Sequence, residues 1–193
     1  MALDEQLHLS VHLTLPDWIR EYNSLLDEPF NSDEDKMDLA IRLASRNVRE
    51  GTGGPFGAAI FETDSGRVIS VGVNRVVPLN NSTAHAEMMA FMLAQKRLRS
   101  FRLDATRHHF VLATSAQPCA MCYGACPWAG IDRLIIGARR EDVESLTEFD
   151  EGPMPRDWIE GLNRRGIHVT QDVLRKEACS VFRDYQRSRG ETY

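Results

Sequence analysis

The sequence predicts an α/β fold: a three-layer sandwich of helices around a central mixed sheet, preceded by an N-terminal extension. Three observations carry this. From about residue 56 onward, apolar runs of strand length alternate with stretches of helical spacing. The first two runs are separated only by the turn Asp64-Ser65-Gly66, so they form an antiparallel hairpin, whereas whole helices separate the later runs, which therefore pair in parallel. With 193 residues, 42% of them hydrophobic, the chain can build one full core and is short for two. Residues 1–31 read as the extension and 32–193 as the main domain, ending in a tail.

In order, Leu7, Leu9, Val11, Leu13 and Leu15 alternate with His8, Ser10, His12 and Thr14, the period of a strand, which Pro16 stops. This strand is expected to cover a sheet edge or a partner subunit. Asp17 to Leu26 reads as a short helix. Ser32 caps the next helix, whose first turn carries Asp33, Glu34 and Asp35 and whose apolar face is Met37, Ala40, Ile41, Ala44 and Val48. The hairpin follows as Phe56–Phe61 and Val68–Val73. Pro78 to Thr83 reads as a loop delivering a helix that begins at His85, with Thr83 as its cap. Met88, Met89, Phe91, Met92 and Leu93 make that helix apolar on most sides, so it is expected under the sheet. His109–Thr114 and Arg133–Ala138 are strands, with a helix after Pro118 between them. Glu141 to Pro155 reads as acidic and irregular, Arg156 to Arg165 as a helix and Ile167 to Thr170 as a short strand. Val173, Leu174, Ala178, Val181, Phe182 and Tyr185 mark a last amphipathic helix before the tail Arg187–Tyr193.

The charge balance, 28 acidic against 23 basic residues with a net −5, disfavours a phosphate-gripping surface and hence a nucleic-acid partner. The basic run Lys96, Arg97, Arg99, Arg102 and Arg107 reads as a solvated face. No apolar run approaches a membrane span, and the first residues lack the regions of a signal peptide, so a cytoplasmic protein is expected. Of four cysteines, three fall between Cys119 and Cys126, which suits metal binding better than disulfides.

The cysteines Cys119 and Cys122 stand three positions apart on one helical turn, in Pro118-Cys119-Ala120-Met121-Cys122, and aim their sulfurs at a common point. A histidine from elsewhere can fill a third corner of a zinc tetrahedron, and His85 in His85-Ala86-Glu87 is placed to do so. The fourth corner stays open, the mark of a catalytic rather than a structural zinc site. Glu87 then lies beside that corner without binding the metal. H-x-E followed by P-C-x-x-C is the known signature of zinc deaminases. Cys126 reads as a buried thiol.

On these motifs, with Gly53-Gly54-Pro55-Phe56-Gly57-Ala58, Thr83-Ala84-His85-Ala86-Glu87 and the aromatic Tyr193, the chain resembles the cytidine deaminase-like superfamily, and within it the bacterial guanine deaminases. The resemblance covers roughly Met37 to Tyr193. It implies a Zn²⁺ cofactor on His85, Cys119 and Cys122, Glu87 as proton shuttle, and conversion of guanine to xanthine and ammonia, with the aminated triazine ammeline as a second substrate. A second acid is needed for the base. From the residues alone Glu141, Asp142, Glu144, Glu148, Asp150 and Glu151 stay open; the resemblance selects Glu151, which follows Phe149-Asp150. It further implies that Asn74 hydrogen-bonds the base, that Phe56 and Trp128 are pocket aromatics, and that Tyr193 closes its own or a partner's site in a homodimer with exchanged tails. Two departures stand out: Gln117 replaces a glutamate common before Pro-Cys, and Pro127 falls inside the cysteine helix, which is expected to be shorter or kinked. Two other functions share the motif. A tRNA adenosine deaminase would need a basic groove beside the zinc, and a non-catalytic zinc-binding module would have no use for Glu87.

Overall fold

The computed structural model describes residues 7–188 and 190–192. The main domain opens as its sequence dictates: the Ser32 hydroxyl accepts the Asp35 amide at 3.0 Å, and the Asp35 carboxylate accepts the Ser32 amide at 3.1 Å. This reciprocal cap starts α1 (Asp33–Arg49), which buries Met37, Leu39, Ala40, Leu43 and Ala44. Each fully buried leucine or methionine there contributes about 1.5–3 kcal/mol relative to exposure.

Five strands form one mixed sheet in the order β2-β1-β3-β4-β5: β1 (Gly57–Glu62), β2 (Val68–Val73), β3 (Phe110–Ala116), β4 (Arg133–Ala138) and β5 (His168–Thr170). β1 pairs antiparallel with both β2 and β3, while β3, β4 and β5 run parallel. Alternate strand residues face opposite layers. Ala59, Phe61, Val111, Ala113 and Ile135 pack with α1 and α7 (Arg175–Arg187). Ala58, Ile60, Leu112, Leu134 and Ile136 pack with α3 (Ala86–Leu98), α4 (Ala120–Ala129) and α6 (Trp158–Asn163). The expected three layers are present.

Several local expectations are corrected. Residues 7–16 form no strand; they are extended, with Leu7 92% and Leu9 97% exposed, because no neighbouring strand lies beside them to complete a ladder. Asp17–Asp27 is a 3-10 helix docked on α1, where the Arg46 guanidinium lies 4.9 Å over the Trp18 ring and grips Glu21 at 2.7 and 2.9 Å. The acidic stretch is not irregular throughout: α5 (Arg140–Leu146) forms there, its Asp142 carboxylate capping back to the Arg139 amide at 2.8 Å. Pro78 sits in the single turn α2 (Val76–Leu79), and Thr83 caps nothing, since its amide bonds the Asn81 side chain and His85 is the residue that precedes α3. Pro127 lies inside α4 without ending it; the helix runs to Ala129 and stops at Gly130, whose φ is +77°. Among the described residues no helix is long and apolar enough to cross a membrane.

Candidate active site

Two helix starts converge on one point. His85 precedes α3 and Cys119 precedes α4, so the imidazole and both sulfurs come from the first turns of two helices in the same layer. Each start is pinned to the sheet. A side chain at Gly72 would put its Cβ 2.0 Å from the Ala86 carbonyl oxygen, so only glycine lets β2 lie this close to the first turn of α3. After β3, the Gln117 amide bonds the Ala138 carbonyl at 2.8 Å, extending the parallel ladder to the edge of Pro118-Cys119.

Cys119 Sγ lies 3.5 Å from His85 Nδ1, and the ligand atoms of His85, Cys119 and Cys122 all lie within 4.8 Å of one another. A tetrahedral zinc with ordinary Zn–N and Zn–S lengths requires roughly 3.6 Å between such a nitrogen and sulfur. The donor set therefore fits zinc by chemistry and by spacing.

His85 and Cys119 open onto a cleft of about 200 Å³ lined also by Phe56, Val76, Ser82, Glu87, Gln117, Phe149, Asp150 and Glu151, while Cys122 is fully buried. Glu87 and Glu151 are each 6% exposed. Asn74 is 1% exposed and sits between two lining residues, its amide bonded to the Phe56 carbonyl at 3.1 Å and its Oδ1 accepting the Val76 amide at 3.2 Å. Its Nδ2 is buried without a partner among the described residues, a donor held unspent beside the cleft.

Residues 30–138 match the family model for the cytidine and deoxycytidylate deaminase zinc-binding region. The chain belongs to this family. It is 41% identical over 138 residues to guanine deaminase of Bacillus subtilis, covering 72% of this chain and 84% of that one. The solved guanine deaminase from Nitrosomonas europaea superposes with a TM-score of 0.88 at 41% identity, covering 94% of this chain and 99% of that one. A protein designated NE0047, solved with 2,6-diaminopurine, matches with the same TM-score of 0.88 at 41% identity over 95% of this chain and 96% of that one. A tRNA-specific adenosine deaminase of Buchnera aphidicola is more distant, at 27% identity over 159 residues.

Apart from any metal charge, the electrostatics of the cleft follow from burial and from its own thiol and carboxyl groups. A hydrogen bond from the Cys122 thiol to the Cys119 sulfur, helped by His85 against the effect of burial, pulls Cys119 down to about 4 and pushes Cys122 up. For His85, burial alone would lower the pKa, but its bond to Cys119 and the nearby acids raise it. Burial first, and then the Cys119 thiolate, push Glu87 up to about 7 and Glu151 to about 8. Two buried carboxyl groups held above the ordinary carboxylate range thus face one cavity.

Of the expected site residues, His85, Cys119, Cys122, Glu87, Glu151, Asn74 and Phe56 gather here. Trp128 does not. It is 76% exposed and lines a separate cavity with Arg102, Tyr123 and Arg165. Nine residues beyond Cys119 on one helix is two and a half turns, so its side chain points to the face opposite Cys119 and roughly 13 Å along the axis. Tyr193 lies outside the described residues. Val76 and Ser82 were not singled out in the sequence, because nothing in their types or spacing marks a lining residue; Gln117 was noticed only as a departure, although its place immediately before Pro118-Cys119 was the available signal.

Proposed function

We propose that this protein hydrolyses guanine to xanthine and ammonia. The observation that carries the reading is the pair of buried carboxyl groups, Glu87 and Glu151, on one small cleft with the His85, Cys119 and Cys122 donor set. His85, Cys119 and Cys122 would hold zinc, which would supply an activated water for the amine-bearing carbon. Glu87, its carboxyl raised by burial, takes the water's first proton and passes it to a ring nitrogen, then carries the second, from the new hydroxyl, to the departing amine as the carbon–nitrogen bond breaks. Guanine offers a ring N–H beside an exocyclic amine, a donor pair that the two oxygens of Glu151 accept together once it is ionised, a form that the donor pair and a zinc charge nearby would favour. Glu151 is also the second proton carrier. Asn74 Nδ2 donates to an acceptor on the base, which spends the one buried donor beside the cleft.

Relatives support these assignments. NE0047 has been solved with 8-azaguanine and with 2,6-diaminopurine, both of which carry the amine at the purine carbon that guanine loses. In the 8-azaguanine complexes a substituted asparagine and a substituted glutamate are separated by the same number of positions as Asn74 and Glu151. The cleft, at about 200 Å³, is below the roughly 300–1,000 Å³ typical of larger ligands and favours a single flat ring system, the triazine ammeline included.

A homodimer belongs to the same reading. α3 and α4 turn Met92, Met121, Gly124 and the exposed Trp128 outward from one layer, an apolar face for a second copy. Exchange of tails between the copies belongs to this reading too, beyond the point where Gly190 and Glu191 bond to Tyr185. A tRNA substrate is disfavoured by the net charge of −5, and several surface arginines are matched by acids, as in Arg102–Asp104, Arg139–Asp172 and Arg140–Glu144.

The test is ammonia release by zinc-loaded protein from guanine, guanosine, adenine, cytosine, cytidine and ammeline, with Glu87→Ala as the blank. Turnover of guanine, alone or with ammeline, is expected. Silence on guanine together with deamination of a tRNA anticodon stem would overturn the reading.

A further inference from the structure

The tail after α7 is held by one side chain. Tyr185 is 7% exposed, and its hydroxyl donates to the Glu191 carbonyl at 2.6 Å while its own carbonyl accepts the Gly190 amide at 3.1 Å. Gly190 lies directly on the Tyr185 ring: an added Cβ would sit 2.1 Å from Cζ and 2.2 Å from Cε2. The glycine is there for space, since any side chain would lift the tail away.

The same ring also touches the cleft wall. Tyr185 stacks on Phe149 at 6.0 Å and 22°, and Phe149 meets Phe56 edge-on at 5.1 Å; both phenylalanines line the cleft. On the tail side, Tyr185, Gly190 and Glu191 line a shallow groove with Gly53, Gly54, Val77 and Pro78. Val77 and Pro78 belong to the single turn α2, whose Val76 lines the substrate cleft. The latched tail therefore runs along the rim of the site.

We propose that Tyr185 is a positioning residue: it latches Gly190 and Glu191 at the mouth of the cleft and ties that latch, through Phe149, to the wall against which the substrate lies. A tyrosine that merely filled the core would need neither a glycine on its ring nor a bond to a carbonyl six residues on. Burial and the neighbouring Glu191 raise its pKa, so the hydroxyl stays protonated and remains a donor. The latch rests on the guanine reading only for the substrate used in its kinetic test.

The experiment compares the full chain with Tyr185→Phe, Gly190→Ala, a chain ending at Ser188, and that shortened chain carrying Tyr185→Phe. Two readouts are taken: hydrogen exchange at the Gly190 amide, and the split between KM and kcat for guanine. Tyr185→Phe, which keeps the ring and removes only the hydroxyl, is expected to speed Gly190 exchange about fivefold and to raise KM by a similar factor with a smaller change in kcat. Gly190→Ala should do more on both counts. In the shortened chain Tyr185→Phe should change nothing further, because the group it acts through is gone. Unchanged protection of the residue-190 amide in both variants, each set against the intrinsic rate of its own residue type, would overturn the latch. So would an equal effect of Tyr185→Phe on KM with and without the tail, which would mean that the ring acts on the wall alone. If guanine is not turned over but Gly190 exchange responds as described, the latch stands and the substrate assignment falls.

Discussion

Two segments deliver a buried carboxyl group to the same cleft, and they do so by different means. Glu87 stands in the first turn of α3, one residue from an alanine whose carbonyl presses on Gly72 of β2 and two from a metal ligand. Secondary structure alone fixes its direction. Glu151 stands on an irregular segment held by scattered bonds: the Thr147 hydroxyl to the Val143 carbonyl at 2.6 Å, the Gly152 amide to the Asp150 side chain at 2.8 Å, and the Ala120 amide to the Glu151 carbonyl at 3.0 Å. The last of these ties it to α4, the helix that carries the sulfurs. One acid is placed by a helix, the other by tertiary contacts between elements.

The sharpest way to set the two apart is to neutralise each. Glu87→Gln should lower kcat about a thousandfold or more, with zinc content by atomic absorption unchanged, because the proton shuttle is lost and the ligands are not. Zinc loss in that variant, or retained turnover, would break the assignment. Glu151→Gln should cost about a hundredfold in kcat/KM, with a larger share in KM than for Glu87→Gln, since it accepts the base as well as moving a proton. If the two variants showed the same split, the division of roles would be wrong.

This contrast also explains what could be seen in the sequence. His85, Glu87, Cys119 and Cys122 were legible because zinc chemistry demands those residue types at fixed spacing on helix starts, and because helix spacing is local. The hairpin and the parallel strands were legible for the same reason. Glu151 was not separable from Glu141, Asp142, Glu144, Glu148 and Asp150 by spacing; resemblance alone picked it out, because what distinguishes it is burial against α4. α5 was missed since Val143 is its single fully buried residue and much of its anchoring comes from Arg175 on α7. Leu7 to Leu15 failed in the opposite sense: the alternation is real, but a strand needs a neighbour, which no periodicity reports. Trp128 is implied by the resemblance alone, and α4 turns it away from the cleft of its own chain.

The mechanical half of the comparison can be tested away from both acids. Gly72→Ala adds one methyl group in a strand, but it lands 2.0 Å from the Ala86 carbonyl oxygen and must push the first turn of α3 outward. His85 and Glu87 move with it. Zinc affinity, measured by competition with a chromophoric chelator, should fall roughly tenfold, as it does when the support of a ligand is disturbed, and activity at saturating zinc should fall as well. Full affinity would mean that α3 is anchored elsewhere.

The smallest effect is expected where the Glu151 segment begins. Asp142 on α5 accepts Arg175 in a bidentate pair at 2.7 and 2.8 Å and also caps the Arg139 amide. These bonds, Arg175 first, hold its carboxyl below the ordinary carboxylate value. A depressed acid contributes stability that is present above the unfolded value of about 3.9 and is lost as pH falls through the folded one. Asp142→Asn should therefore lower the thermal midpoint at pH 7 by about 2–4 °C, and the gap between variant and parent should close towards pH 3. Because α5 leads directly into Thr147 and Phe149, the same variant should raise KM for guanine slightly while leaving zinc content alone. A constant gap at every pH would assign the loss to packing rather than to the ion pair, and an unchanged KM would separate the placement of Glu151 from α5 altogether.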